Sequence, residues 1–281
     1  MLTQSGHPLP RTRCGASAGH DQVVSTGPRT HTNRTRAQSF GSDARAYDRV
    51  RPGYPPELID DLVVDGPRSA LDVGCGTGKA ARLLQGRGVE VLGLEIDPRM
   101  AEVARGNGVP VVVTAFETWD ADGERFDLLV SGQAWHWIDP ITGTRKAARL
   151  LRLGGLMALF WNFAQLEPAA RRVVNAAYDA VAPELTQTSV LRGNGPDTVP
   201  GHMEILRRSG GFGRIERRRY RWEQEYGRDE WLGLIRTHSD HSTLPPDQLS
   251  RLLAAVGAAF DVVGGMATAH YTTDAVFARA R

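Results

Sequence analysis

The segment Leu71-Asp72-Val73-Gly74-Cys75-Gly76-Thr77-Gly78 restricts what this chain can become more than any other stretch of it. A short apolar run, Ser69–Val73, stops at glycines on alternate positions. A helical pattern, Lys79–Gln85, starts directly after them and ends at Gly86 and Gly88. Glycines so spaced allow a tight strand-to-helix turn and let bare backbone approach a ligand. The next apolar run, 89–96, carries Glu95, 21 residues beyond Gly74. A carboxylate there can accept hydrogen bonds from both ribose hydroxyls of a nucleoside.

The surrounding pattern alternates strand with helix. A helix over roughly 57–65 places Leu58, Ile59, Leu62 and Val63 on one face. Asp97-Pro98 and Asp139-Pro140 are helix starts, with Asp as cap and Pro at the first position. Strands are expected over 110–116, 126–133 and 156–163. Five strands separated by short helices imply parallel pairing with right-handed crossovers. The fold class is therefore α/β: a Rossmann-like, mostly parallel open sheet with helices on both faces and a C-terminal cap lobe. Ligands of such sheets bind beyond the carboxyl ends of the strands, where the strand order reverses.

Residues 1–38 are polar and aperiodic, which predicts a disordered tail before a domain spanning 39–281. Within that domain the sheet core is expected over about 66–163, and the cap over about 164–281. The cap region reads as an amphipathic helix over 168–181, then a loop rich in Gly, Pro and Asn. An alternating strand over 215–226, helices near 229–238 and 247–263, and a last strand over 267–278 complete it.

The spacing of the glycines separates two ligand classes. A dinucleotide turn needs glycine at its first, third and sixth positions. Here the sixth position is Lys79 and the fifth is Gly78, which argues against a nicotinamide-dependent oxidoreductase.

Asp72-Val73-Gly74-Cys75-Gly76-Thr77-Gly78 resembles the first motif of class I S-adenosylmethionine-dependent methyltransferases, and Gly93-Leu94-Glu95-Ile96-Asp97 resembles their second. Phe126-Asp127-Leu128-Leu129-Val130 is similar to their fourth strand, and 150–155 to the turn before their fifth, with Leu153 where proline is common. The entry Phe40…Tyr47-Asp48…Arg51-Pro52…Tyr54-Pro55 and the segment Gln133-Ala134-Trp135-His136-Trp137 resemble a small-molecule subgroup that includes trans-aconitate methyltransferase-like proteins. The resemblance covers about 40–163 and continues more loosely to the C-terminus.

The resemblance implies S-adenosylmethionine as donor, S-adenosylhomocysteine as product and no metal. It implies that Gly74, Gly76 and Gly78 pack on the methionine part of the donor while Asp72 steadies the turn. Glu95 would hold the ribose, Ile96 would pack on the adenine, and Ala115 and Phe116 would flank its other side. Ser131, Gly132 and Gln133 would lie near the methionine moiety, and Tyr47 would fold over the donor as part of a lid. The reaction implied is methyl transfer to a small-molecule acceptor, a carboxylate or a hydroxyl, by in-line displacement. A protein that binds the donor without catalysis would carry the same turn.

His136 is the candidate catalytic residue, because it follows the fourth strand, where the acceptor should sit. Trp135 and Trp137 are candidates for an acceptor wall or for core, and His238 for the acceptor pocket. His238, Asp240 and His241 form a short cluster that lacks further ligands for a metal and reads as an exposed loop.

Composition excludes several other classes. All but two of 34 basic residues are arginine and the net charge is only +2, so the arginine runs do not argue for nucleic acid. Arg217, Arg218, Arg219 and Arg221 would alternate between the faces of a strand rather than form a phosphate stripe. Two cysteines, Cys14 and Cys75, give no disulfide framework. The absence of a long apolar run argues against a membrane span, and the expectation is a cytoplasmic location.

Overall fold

Strand residues of the central sheet divide with period two between two apolar layers, and this division builds the molecule. In the computed structural model the described residues are 43–185 and 197–281. The tail expected over 1–38 lies outside them. Strands β1 (Ser69–Val73), β2 (Glu90–Glu95), β3 (Val111–Val113), β4 (Phe126–Gly132) and β5 (Leu151–Leu166) alternate with helices. Ala70, Leu128, Val130 and Ala158 point to one layer, with Leu58, Ala81 and Leu84 from helices α2 (Pro56–Val63) and α3 (Lys79–Gln85). Leu71, Leu129, Met157 and Leu159 point to the other layer. There they meet Ala147 of α5 (Pro140–Leu150) and Leu206 of α7 (Val199–Ser209). Two helix layers over one sheet cover both faces, as expected for parallel strands.

The sheet has seven strands in the order β3-β2-β1-β4-β5-β7-β6. The first five pair in parallel. Strand β7 (Met266–Ala280) inserts antiparallel between β5 and β6 (Phe212–Gly227). The strand order reverses between β1 and β4, which puts the switch point beside the glycine turn. The sheet therefore extends past the expected 66–163 core, because the alternating segment of the last third pairs along its edge. Arginines of β6 are consumed there by carboxylates: Arg217 and Arg219 pair with Asp274, and Arg218 with Asp61.

Strands β5, β6 and β7 are long, and their far ends leave the main sheet to carry the cap. A third apolar cluster forms there from Ala164, Tyr226 and Tyr271 of these strands. Val174 and Tyr178 of α6 (Pro168–Val181), Trp231 of α8 (Arg228–Arg236) and Phe260 of α9 (Pro246–Val262) close it. Helix α1 (Ala44–Val50) precedes α2 and packs against α8 and α4 (Pro98–Gly106). The N-terminal strap thus reaches the cap across the top of the sheet.

The loop expected between 181 and 215 contains α7, which sequence reasoning missed. Its first turn holds Pro200 and Gly201, residues that usually argue against helix. In the first turn the proline loses no intrahelical bond, so both are tolerated.

Candidate active site

Each glycine of the turn has a left-handed backbone: φ is +69° at Gly74, +57° at Gly76 and +84° at Gly78. The turn is held by Gly74 and Cys75, whose N–H groups both donate to the Leu94 carbonyl of β2 at 2.8 and 3.0 Å. Space is scarce at Gly74, where an added Cβ would stand 2.5 Å from the Ala134 Cβ. The turn therefore needs glycine for its dihedrals and, at position 74, for room as well.

Glu95, at the end of β2, is buried with its carboxylate facing this turn. Gly76 N–H donates to Oε2 at 2.8 Å and Asp97 N–H to Oε1 at 2.9 Å. Burial pushes Glu95 up, and these backbone donors oppose the rise. Two of the carboxylate's roughly four acceptor positions are used, which leaves capacity for hydroxyl donors. Asp72 is also buried, and its Oδ2 has no hydrogen-bond partner. Burial, with a smaller push from Glu95, raises Asp72 to about 7.

A cleft of about 250 Å³ opens above the carboxyl ends of β1, β2 and β4. Gly74, Glu95, Ile96, Ala115, Phe116, Gln133, His136, Trp137, Tyr47 and His238 all line it. A smaller annex of about 50 Å³ is lined by Asp72, Gly74, Thr77, Lys79, Tyr54 and Gln133. Tyr47, Arg51 and Asn162 belong to both.

Most of the residues singled out in the sequence therefore converge. Gly76 and Gly78 shape the turn without lining the cleft. Ser131 is the first exception of another kind, because it is fully buried and its hydroxyl donates to the Val73 carbonyl at 2.8 Å. It ties β4 to β1 rather than facing the cleft. Trp135 is the second. It is 1 % exposed, packs 5.7 Å from Phe116 and belongs to the core, so it supports the wall from behind. Trp137 is in the cleft, beside His136.

His136 Nδ1 accepts from Trp161 Nε1 at 3.4 Å. A neutral ring so placed carries its proton on Nε2 and is a donor there. His238 lies on the cap side of the cleft, and desolvation holds it well below the ordinary imidazole range.

The expectation of an exposed His238–His241 loop is overturned. His241 is fully buried, with Nδ1 2.7 Å from Asp240 Oδ1 and Nε2 2.7 Å from the Tyr178 hydroxyl. The segment is anchored by α6, 63 residues away in sequence, and no local pattern announces that contact. Among the described residues no group of three or more His, Cys, Asp or Glu side chains could hold a metal ion.

Sequence reasoning also missed Asn162. It lies in the apolar centre of β5, accepts from Thr273 Oγ1 at 2.7 Å through Oδ1, and donates to the Gly53 carbonyl at 2.9 Å. It joins the strap to β5 and β7 at the lip of the cleft. An amide inside an otherwise apolar strand was the available signal.

With this geometry in view, comparison with known proteins is decisive about kind. A family profile described as a methyltransferase domain matches residues 71–159, the stretch that holds the turn, Glu95, β4 and His136. Residues 71–159 carry a methyltransferase domain. An uncharacterised methyltransferase of Mycobacterium tuberculosis is 40% identical over 136 residues, covering 47% of this chain and 56% of that relative. A malonyl-[acyl-carrier protein] O-methyltransferase of Acetivibrio thermocellus is 30% identical over 130 residues, covering 42% of this chain and 46% of its own length. The chain spans about half the length of the curated relatives it matches. A solved structure from Anaeromyxobacter dehalogenans, provisionally described as a type II methyltransferase, covers 82% of this chain and 97% of its own. Its TM-score is 0.62 at 23% identity, so the two chains share a fold.

Proposed function

We propose that this methyltransferase domain transfers the methyl group of S-adenosylmethionine to a carboxylate oxygen of a small molecule. The observation that carries the reading is the convergence of the glycine turn, Glu95 and the orphaned Asp72 oxygen on one cleft at the switch point. The residues fit the donor. The free acceptor positions of Glu95 suit ribose hydroxyls, and Ile96, Ala115 and Phe116 offer apolar walls to a purine. Asp72 Oδ2 in the annex suits the ammonium of an amino acid.

S-adenosylmethionine supplies a methyl group already activated on a sulfonium. The chain's work is then to align the acceptor, keep water out and manage any proton. Alignment of this kind contributes roughly 7–11 kcal/mol in well-oriented systems. Tyr47 and Arg51 from the strap, and Leu234 and His238 from the cap, close over the sheet residues and bound the space. His136 Nε2–H suits a hydrogen bond to an acceptor oxygen.

The two histidines of the cleft favour a carboxylate over a hydroxyl. A hydroxyl would need a base within hydrogen-bond reach. His136 already uses Nδ1 to accept from Trp161, and desolvation makes His238 a weak base. A carboxylate nucleophile needs neither.

The test is transfer from methyl-labelled donor to a panel of small mono- and dicarboxylic acids, alcohols and amines. The reading expects label in a base-labile methyl ester with release of S-adenosylhomocysteine. Label that enters only alcohols or amines contradicts the acceptor class. Tight donor binding without turnover on any member favours a non-catalytic binder.

A further inference from the structure

We infer that Arg51 is the carboxylate anchor of the cleft, holding an anionic group of the ligands through a guanidinium that has no ionic partner of its own. The inference rests on the donor reading above only for the identity of the two nucleoside probes.

Four observations carry it. Arg51 lines both the cleft and its annex. Among the described residues it is the only Lys or Arg that lines the larger space. Its Nε is buried with no hydrogen-bond partner, and among the described residues no carboxylate pairs with it. Finally, it is positioned rather than loose. Its Nη2 donates to the Thr237 carbonyl at 2.8 Å, and the guanidinium carbon lies 4.9 Å from the centre of the Tyr47 ring.

The contrast with neighbouring cations is informative. Lys79, the other cation of the annex, donates to the Asp48 carbonyl at 2.6 Å and stands 3.9 Å from its carboxylate. Arg217, Arg218 and Arg219 all meet acids. Among these described cations Arg51 is the one brought to the ligand space without a carboxylate beside it. Arg51 is half-buried, and a desolvated Nε–H without an acceptor is costly, while a planar fork of donors matches a carboxylate in two parallel hydrogen bonds. Neither flanking group interferes: desolvation lowers His238, so it does not compete with Arg51 for an anion, and burial pushes Tyr271 up to about 12, so it does not neutralise Arg51 as a phenolate.

Two ligand carboxylates could meet this fork. One belongs to the amino-acid part of the donor, reached through the annex. The other is a carboxylate of the acceptor that is not the one attacked, reached through the larger cleft. Calorimetry on the whole chain separates them. Wild type, Arg51→Gln and Arg51→Lys are titrated with S-adenosylhomocysteine and with 5′-methylthioadenosine, which lacks the amino-acid part. Each protein saturated with the first is then titrated with succinate.

The donor arm expects Arg51→Gln to weaken S-adenosylhomocysteine at least tenfold and methylthioadenosine less than twofold. Arg51→Lys should fall between. The acceptor arm expects both nucleosides to hold within twofold while succinate binding is lost. Either result supports the anchor. Equal weakening of the two nucleosides, the signature of a strap displaced by loss of the Thr237 contact, overturns it. So does binding of all three probes that ignores position 51, or the absence of succinate binding to wild type with both nucleosides unaffected. If wild type binds neither nucleoside, the donor reading has failed. Titration of the unliganded proteins with succinate then decides the anchor: loss in Arg51→Gln supports it, and no difference or no binding overturns it.

Discussion

Glu95 Oε2 accepts the Gly76 N–H at 2.8 Å, so the acid ending β2 and the turn following β1 form one hydrogen-bonded unit. The residue that faces the ligand space is also a support of the turn that shapes it. Glu95→Ala leaves the N–H groups of Gly76 and Asp97 without their acceptor. Each orphaned buried donor costs about 1–3 kcal/mol. Urea unfolding should therefore show a destabilised but folded Glu95→Ala, and a smaller loss in Glu95→Gln, which retains one acceptor oxygen. Equal stability of wild type and Glu95→Ala would mean the turn does not depend on this acid.

The turn itself separates dihedral strain from crowding. At Gly76 an added Cβ meets only the flexible Met100 Cε, at 3.6 Å, whereas at Gly74 it meets Ala134 at 2.5 Å. Gly76→Ala should carry mainly the left-handed penalty, about 1–2 kcal/mol. Gly74→Ala should lose more, because overpacking adds about 1–3 kcal/mol. Thermal unfolding of the two variants checks the order. The reverse order would show that Ala134 yields freely.

The two halves of the site differ in how readable they were from sequence. The donor side rests on local signals: glycine spacing, an acid at a strand end, and Asp-Pro helix starts at 97 and 139. Such signals survive without knowledge of packing, and Gly74, Glu95, Ile96, Ala115, Phe116 and Gln133 all line the cleft. The cap side depends on contacts distant in sequence. Asn162 meets Thr273 and Gly53, and His241 meets Tyr178, each pairing residues more than fifty positions apart. No periodicity reports that kind of contact. Trp135 shows a third limit: a single turn after β4 decides whether an aromatic faces ligand or core, and Trp135 and Trp137 went opposite ways.

The buried Tyr178–His241–Asp240 chain fixes the segment that carries His238 and Thr237. His241→Leu should cost about 1–3 kcal/mol for the orphaned Tyr178 hydroxyl, and it removes the ring donor to Asp240 Oδ1, which keeps the backbone N–H of residue 241 at 2.9 Å. Asp240 is held well below the usual carboxylate range. Burial opposes that shift, and the hydrogen bond and charge of His241 drive it. A depressed folded pKa contributes stability that is full above the unfolded value, about 3.9, and is lost as pH falls towards the folded one. The His241→Leu stability deficit should therefore be present at neutral pH and narrow only in acid below about pH 4. A deficit that does not change through that range would contradict the assignment.

A second acid-sensitive group is His202 of α7, which stacks on Trp161 with ring centres 4.9 Å apart. Burial lowers it to about 4. The unfolded chain binds its proton more readily, so stability is unaffected above about pH 6.5. It falls below that by at most about 1.4 kcal/mol per pH unit, until the folded pKa is reached. His202→Phe keeps the stacking and removes the titration, so its unfolding midpoint should depend less steeply on pH between about 6.5 and 4. An unchanged slope would contradict the lowered pKa.

Under the proposed reading His136 serves the acceptor and not the donor. His136→Ala should leave S-adenosylhomocysteine affinity within about twofold and lower turnover on a working acceptor at least tenfold, about 1.4 kcal/mol of transition-state stabilisation. Calorimetry and steady-state kinetics on the same preparation read both quantities. Loss of S-adenosylhomocysteine affinity in this variant would move His136 to the donor side of the cleft.

The most direct test of the account is calorimetric titration of wild type and Glu95→Ala with S-adenosylmethionine, S-adenosylhomocysteine and NAD, with circular dichroism to confirm that both are folded. The account predicts that wild type binds the first two and not NAD, and that Glu95→Ala weakens both at least tenfold. Binding of NAD, no response to either sulfur nucleoside, or equal affinity in the folded variant would contradict it.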